Sequence, residues 1–102
     1  MQPTTIPLAD DFATKVRSGE KLTTIRKGHR QYSLGEAQFI SKGAVIPIVI
    51  NGVRFTTFGA LTENDARIDG LASLAELRTV LRKFYHTITD VDIVTIINFE
   101  LR

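Results

Sequence analysis

The sequence predicts an α+β domain: a small, mostly antiparallel sheet of five to six strands, curled into a partial barrel. Two main helices and a shorter third close its open side. Three observations carry this reading. Strand-like and helix-like segments do not alternate, which argues against a doubly wound parallel sheet. The strand-like segments between residues 37 and 58 are short and separated by glycine-containing turns, the pattern of hairpins. The closing segment, Val91 to Leu101, is apolar on both faces, as a central strand is. At 102 residues the chain is long enough for one core and too short for two, so residues 1–102 form a single domain.

Taken in order, Leu8 to Ser18 predicts a helix. Leu8, Phe12, Ala13 and Val16 make its apolar stripe, Asp10 and Asp11 lie near its start, and Lys15 and Arg17 lie near its end. That charge order suits the helix dipole, and Gly19 is the left-handed stop. A strand follows over Leu22 to Arg26. The polar loop Lys27 to Gln31 leads through Tyr32-Ser33-Leu34-Gly35-Glu36 to a strand over Ala37 to Ile40. Ser41-Lys42-Gly43 is a hairpin loop, and it opens onto Ala44 to Ile50, an apolar run interrupted by Pro47. Asn51-Gly52 predicts a tight type I′ turn before a further strand, Val53 to Phe58. Thr62 is the expected N-cap of a short helix that ends at Asp69-Gly70. Ser73 and Glu76 fit a capping box for a helix over Leu74 to Tyr85, with Leu74, Leu77, Val80, Leu81, Phe84 and Tyr85 at helical spacing.

Composition narrows the function classes. The chain is 43% hydrophobic and 24% charged, the balance of a folded globular protein and not of a disordered one. Absence of cysteine excludes disulfides and thiolate chemistry. No apolar run approaches the roughly 20 residues that span a bilayer. The segment Met1 to Thr5 lacks the basic-then-apolar layout of a signal peptide, which makes the cytoplasm the expected location. His29 and His86 have no carboxylates at metal-ligand spacing, so neither a metal nor another cofactor is expected.

Charge is unevenly spread. Six of the thirteen bases (Lys15, Arg17, Lys21, Arg26, Lys27 and Arg30) fall between Thr14 and Arg30, opposed by Glu20 alone. Such a cluster suits an anionic or phosphate-bearing partner, and equally a solvated basic face. Within the strand, alternation puts Thr24 and Arg26 on one face and Thr23 and Ile25 on the other. Lys21 sits at the turn, from which its long stem can swing to the Thr24/Arg26 face. Such an amine is a base only once its pKa drops from about 10.4 toward neutrality, through burial or a nearby cation such as Arg26 or Lys27. From their surroundings alone, Lys21 reads equally well as an ordinary exposed lysine, Thr24 as a plain strand threonine, and Asp69 as a turn residue.

Gly19-x-Lys21-x-x-x-x-Arg26 resembles the GxKxxxxR signature of ASCH domains. The order of elements and the chain length resemble the small bacterial members of that family. The resemblance implies a PUA-like pseudo-barrel with a cleft bearing Lys21 and Arg26, and RNA, a nucleotide or a modified base as ligand. One subgroup removes acetyl from N4-acetylcytidine with a lysine as proton acceptor, a threonine as nucleophile and a glutamate as proton donor. By position in the motif the first two fall on Lys21 and Thr24. The third falls near Asp69, where the shorter Asp69-Gly70 stands in place of glutamate-asparagine. Glu63 and Glu76 are less well aligned carboxylates. Arg26, Lys27, Arg30 and Tyr32 are the expected substrate-binding residues, Tyr32 as a stacking platform. The expected activity is amide hydrolysis on a modified cytidine. The alternative is an RNA-binding module, with or without ribonuclease activity, in which the bases grip phosphates.

Overall fold

The computed structural model describes residues 4–102, so the reading of the N-terminal segment falls partly outside the described residues. Five strands form one sheet in the order β1-β3-β4-β5-β2. They are β1 (Thr4–Pro7), β2 (Thr23–Lys27), β3 (Gly35–Ser41), β4 (Ala44–Thr57) and β5 (Ile93–Leu101). All pairings are antiparallel except β1 with β3. Three α-helices accompany the sheet: α1 (Asp10–Ser18), α2 (Glu63–Ile68) and α3 (Leu74–Phe84). No helix among the described residues is long and apolar enough to cross a membrane.

The expected α+β architecture is present, with four differences. The first is β1, which the sequence reading omitted because four residues ending in proline carry no clear alternation. The second is Asn51-Gly52, where no hairpin turn forms. β4 runs straight through, and the register against β5 shifts between Ile50 and Gly52. The extra residue is absorbed as a β-bulge, which bends a long strand and helps the sheet curl. The third is Pro47, which does not break the strand. β5 ends opposite Ile48, so Pro47 lies where β4 has only β3 as a strand partner and its missing N–H is tolerated. The closing strand begins at Ile93 and not at Val91, which is exposed.

β5 is the central, two-sided strand that its composition required. Its odd residues Ile97 and Phe99 join a cluster with Ile6, Val16, Phe39 and Ile48, under α1. Its even residues Val94 and Ile96 join a second cluster with Ile25, Phe58, Leu77 and Leu81, under α2 and α3. The chain therefore has two apolar clusters on opposite faces of one sheet.

Helix ends follow their local chemistry. Gly19 stops α1 at φ 83°, with Asp10 and Asp11 in the first turn and Lys15 and Arg17 in the last. The full capping box belongs to α2, where Thr62 and Asp65 bond reciprocally. At α3 only the Ser73 half forms, and the Leu74 N–H donates to Glu63 Oε2 at 2.9 Å instead. Burial raises the Asp65 pKa, but hydrogen bonds from Arg54, at 2.5 Å, and from the Thr62 backbone and hydroxyl outweigh it and hold the carboxyl below its ordinary 3.8. A depressed carboxyl contributes stability that is present above pH 3.8 and lost as pH falls through the lowered value. Asp65→Ala is expected to cost about 1–3 kcal/mol in urea unfolding at pH 7, a difference that shrinks below pH 3.8.

Candidate active site

β1 and β2 are the two edges of the sheet, and curling brings them close. Arg26 on β2 donates from Nη2 to the Pro7 carbonyl of β1 at 2.6 Å, bridging a seam that no strand pairing closes. A cleft of about 240 Å³ opens along this seam between α1 and α3. Leu8, Ala9 and Phe12 form one wall, and Leu77, Val80, Leu81, Phe84 and Tyr85 form the other. Its polar groups are Lys21, Thr24, Arg26 and Asp69.

The hydropathy pattern inverts where the cleft is deepest. Lys21 is 3% exposed while its neighbour Leu22 is 47% exposed. The backbone accounts for this. After the Gly19 stop, the Lys21 N–H donates to the Lys15 carbonyl at 3.0 Å and the Leu22 N–H to the Ile68 carbonyl at 2.9 Å. The segment is pinned between the ends of α1 and α2 with the lysine turned inward. Its ammonium meets Asp69, the C-cap residue of α2, itself 4% exposed.

Lys21 Nζ donates to Asp69 Oδ2 at 2.9 Å, and Thr23 Oγ1 donates to Asp69 Oδ1 at 2.9 Å. Both carboxylate oxygens are thus satisfied, and no buried side-chain polar atom among the described residues lacks a partner. Lys21 Nζ also lies 4.9 Å from the centroid of the Phe12 ring. Thr24 is buried on the neighbouring strand face, where its Oγ1 accepts from Arg26 Nε at 3.2 Å. Thr24 and Arg26 pair in register with Ile97 and Thr95 and share one face of the sheet with them, as alternation required.

Electrostatics follow from this burial. Loss of solvent lowers the Lys21 pKa from 10.5; Asp69 opposes the shift, and Arg26 and Lys15 add to it. Loss of solvent raises the Asp69 pKa from 3.8, against the pull of Lys21, Thr23 and Arg26. Both shifts favour moving one proton from amine to carboxyl. A lysine acts as a general base from its neutral form and an aspartate as a general acid from its protonated form, the forms that these shifts favour. The cations that lower Lys21 most are Arg26 and Lys15; Lys27, which the sequence also offered for this role, points to the other face of β2 from Arg26.

Lys21, Thr24, Arg26 and Asp69 are brought together; Lys27, Arg30 and Tyr32 are not among the residues lining the cleft. Lys27 lies at the end of β2 on the face opposite Arg26. The loop after it is tied down by buried Thr95, whose Oγ1 donates to the Gly28 carbonyl at 2.6 Å and accepts from the Arg30 N–H at 2.9 Å. Arg30 Nε turns back to the Lys27 carbonyl at 2.9 Å. Tyr32 packs against the cluster under α1. The aromatic walls are instead Phe12, Phe84 and Tyr85, which helical spacing had assigned to packing alone. Thr23 was also missed as a site residue. Its alternation was correct, but the carboxylate it meets arrives from a distant helix end. No group of three His, Asp or Glu residues that could hold a metal occurs among the described residues.

Neither protein-family models nor curated protein sequences match this chain. Solved structures do. A protein from Enterococcus faecalis V583, of family DUF984, superposes with a TM-score of 0.83 at 14% identity, covering 100% of this chain and 77% of that one. An ASCH domain from Lactobacillus crispatus JV V101 gives 0.78 at 16% identity, covering 96% and 79%. The fold is that of an ASCH domain. A mutant ASCH protein from Zymomonas mobilis gives 0.67 at 17% identity, covering 94% of this chain and 66% of that one. At these identities the likeness is one of fold, so the cleft of this chain is read from its own residues.

Removing one partner of a buried ion pair strands the other charge. Asp69→Ala is expected to lower unfolding free energy at pH 7 by about 3–5 kcal/mol. The stranded Lys21 then has a still lower folded pKa, so the unfolded chain binds more protons and stability rises with pH toward 10.5. Urea titrations at pH 7 and pH 10 should therefore show the gap to wild type narrowing.

Proposed function

We propose that this ASCH domain is an amidohydrolase that removes the acyl group from the exocyclic amine of an acylated cytosine nucleoside, with N4-acetylcytidine as the representative substrate. The observation that carries the reading is that a buried lysine–carboxylate pair and a buried threonine hydroxyl line one small, mostly apolar cleft. At about 240 Å³ the cleft is below the roughly 300–1,000 Å³ of sites for drug-sized ligands, which suits one nucleoside better than a polymer. Phe12, Phe84 and Tyr85 offer flat apolar surface to the base.

In this mechanism Thr24 Oγ attacks the acyl carbonyl carbon and gives its proton to the neutral Lys21 amine. Arg26 fixes Thr24 Oγ and supplies positive charge beside the developing oxyanion. The C–N bond breaks as the Asp69 carboxylic acid protonates the leaving amine, releasing cytidine and leaving Thr24 as an ester. One proton returns from Lys21 to Asp69 along their 2.9 Å contact. Water then attacks the ester, giving a proton to Lys21 while Asp69 protonates Thr24 Oγ. Acetic acid leaves and the starting pair is restored after the same internal transfer.

Incubation with N4-acetylcytidine, followed by chromatography, tests this reading. Lys21→Ala is expected to lower kcat by about 10²–10⁴-fold, and Thr24→Val to abolish turnover. Unchanged turnover in Lys21→Ala removes the base. The pH profile should be a bell. Its limbs belong to the pair, uptake of a second proton on the acid side and loss of the last one on the alkaline side, and burial draws them inward from 3.8 and 10.5.

The second reading is an RNA-binding module. It rests on the loop outside the cleft, where His29 stacks on the half-exposed Phe55 ring at 3.9 Å and 15° beside Lys27 and Arg30. RNA binding that weakens steeply with salt, without nucleoside hydrolysis, would favour it.

A further inference from the structure

Aspartate is a short acid, so its carboxylate reaches a partner only if the backbone brings it there. Here the backbone of residues 69–70 lies directly on that of residues 20–21. Gly70 has φ +86°, and a Cβ placed on it would sit 3.2 Å from Lys21 Cβ and 3.3 Å from both Lys21 Cα and the Glu20 carbonyl oxygen. Its own carbonyl accepts from Lys15 Nζ at 2.7 Å, which draws the turn onto the end of α1. The Leu22 N–H bond to Ile68 holds the other side. Four chain positions thus clamp the end of α2 at van der Waals distance from the lysine stem.

Thr23 adds the remaining constraint. A carboxyl group held through one oxygen can still rotate about its terminal bond. With Lys21 on Oδ2 and Thr23 on Oδ1, both oxygens are placed. Thr23 reaches Asp69 from the face of β2 opposite Thr24, so it does so without entering the cleft lining.

We infer that Gly70 and Thr23 are positioning residues that key this site to aspartate: Gly70 sets the approach of the carboxyl to Lys21, and Thr23 sets its rotation. A glutamate at residue 69 would carry its carboxyl one methylene past the place where Lys21 and Thr23 hold it. This inference takes the Lys21–Asp69 pair as the acid–base centre, and its test includes a readout that does not depend on that chemistry.

The readout is the titration of Lys21 Nζ, followed by heteronuclear NMR with Lys21→Gln as the assignment control, alongside turnover of N4-acetylcytidine. The charged groups acting on Lys21 are Asp69, Arg26 and Lys15. Gly70→Ala should move the carboxyl away and lower the Lys21 titration by about one pH unit, a tenfold change in proton affinity. Asp69→Glu in the wild-type background should also disturb the titration. In the Gly70→Ala background the same substitution should restore it, because the wider gap then fits the longer acid. That reversal of sign is the signature of a reach constraint. Equal effects of Asp69→Glu in both backgrounds would overturn it, as would a Gly70→Ala titration identical to wild type. Should Gly70→Ala fail to fold, Thr23→Val and Thr23→Ser decide. Valine should shift the Lys21 titration and serine should leave it in place; matching titrations in the two would end the proposal. If wild type shows no turnover while the sign reversal is present, the function fails and the positioning stands.

Discussion

A lysine and an aspartate meeting at the nearly dry floor of a cleft are the constraint around which this molecule is arranged. The contact joins the turn after α1 to the end of α2, two elements that share no sheet pairing. Desolvating two charges costs several kcal/mol per ion, and a pair of well-packed apolar side chains would hold these elements at least as firmly. The arrangement is therefore poor as a stabilising device, and in the proposed function its use is chemical. Its oxygens are all bonded, its lysine stem is enclosed, and its proton can sit on either partner without any change in net charge.

The barrel supplies the rest of the site by failing to close. Between the two edge strands, side chains do what backbone pairing does elsewhere, and Arg26 spans the gap while holding Thr24. An Arg in that position links architecture to chemistry: the same guanidinium ties β2 to β1 and fixes the hydroxyl beside the buried pair. The aromatic and aliphatic walls come from helices that pack on different clusters, Phe12 on the one under α1, and Leu77 and Leu81 in the one under α2 and α3.

Much of this was legible in the residues. The dipole-ordered α1 with its Gly19 stop, the Thr62 cap and the two-sided β5 follow from local pattern and are present as expected. Lys21, Thr24 and Arg26 were singled out by a short motif, and they do share a cleft. What escaped notice was decided at a distance. Asn51-Gly52 has the local preference for a turn, yet pairing with β3 on one side and β5 on the other turns it into a bulge within one strand. Tyr32, Lys27 and Arg30 look like a ligand surface in one dimension, but Thr95, a β5 residue with no visible signal, ties Gly28 and Arg30 to the sheet, and Tyr32 packs against the cluster under α1. Asp69 looked like a turn residue and is one, and its side chain is also buried against a lysine far away in sequence.

The strand that carries Thr24 and Arg26 has one neighbour in the sheet, and that neighbour is β5, near the far end of the chain. During synthesis β2 therefore waits, unpaired, until β5 has been made. Closing that long loop comes late and slowly, because its entropy must be given up before the contacts reward it. The polar groups of the cleft thus acquire their arrangement only once β5 has joined β2. A chain cut short before β5 would keep every residue of the cleft and have no cleft.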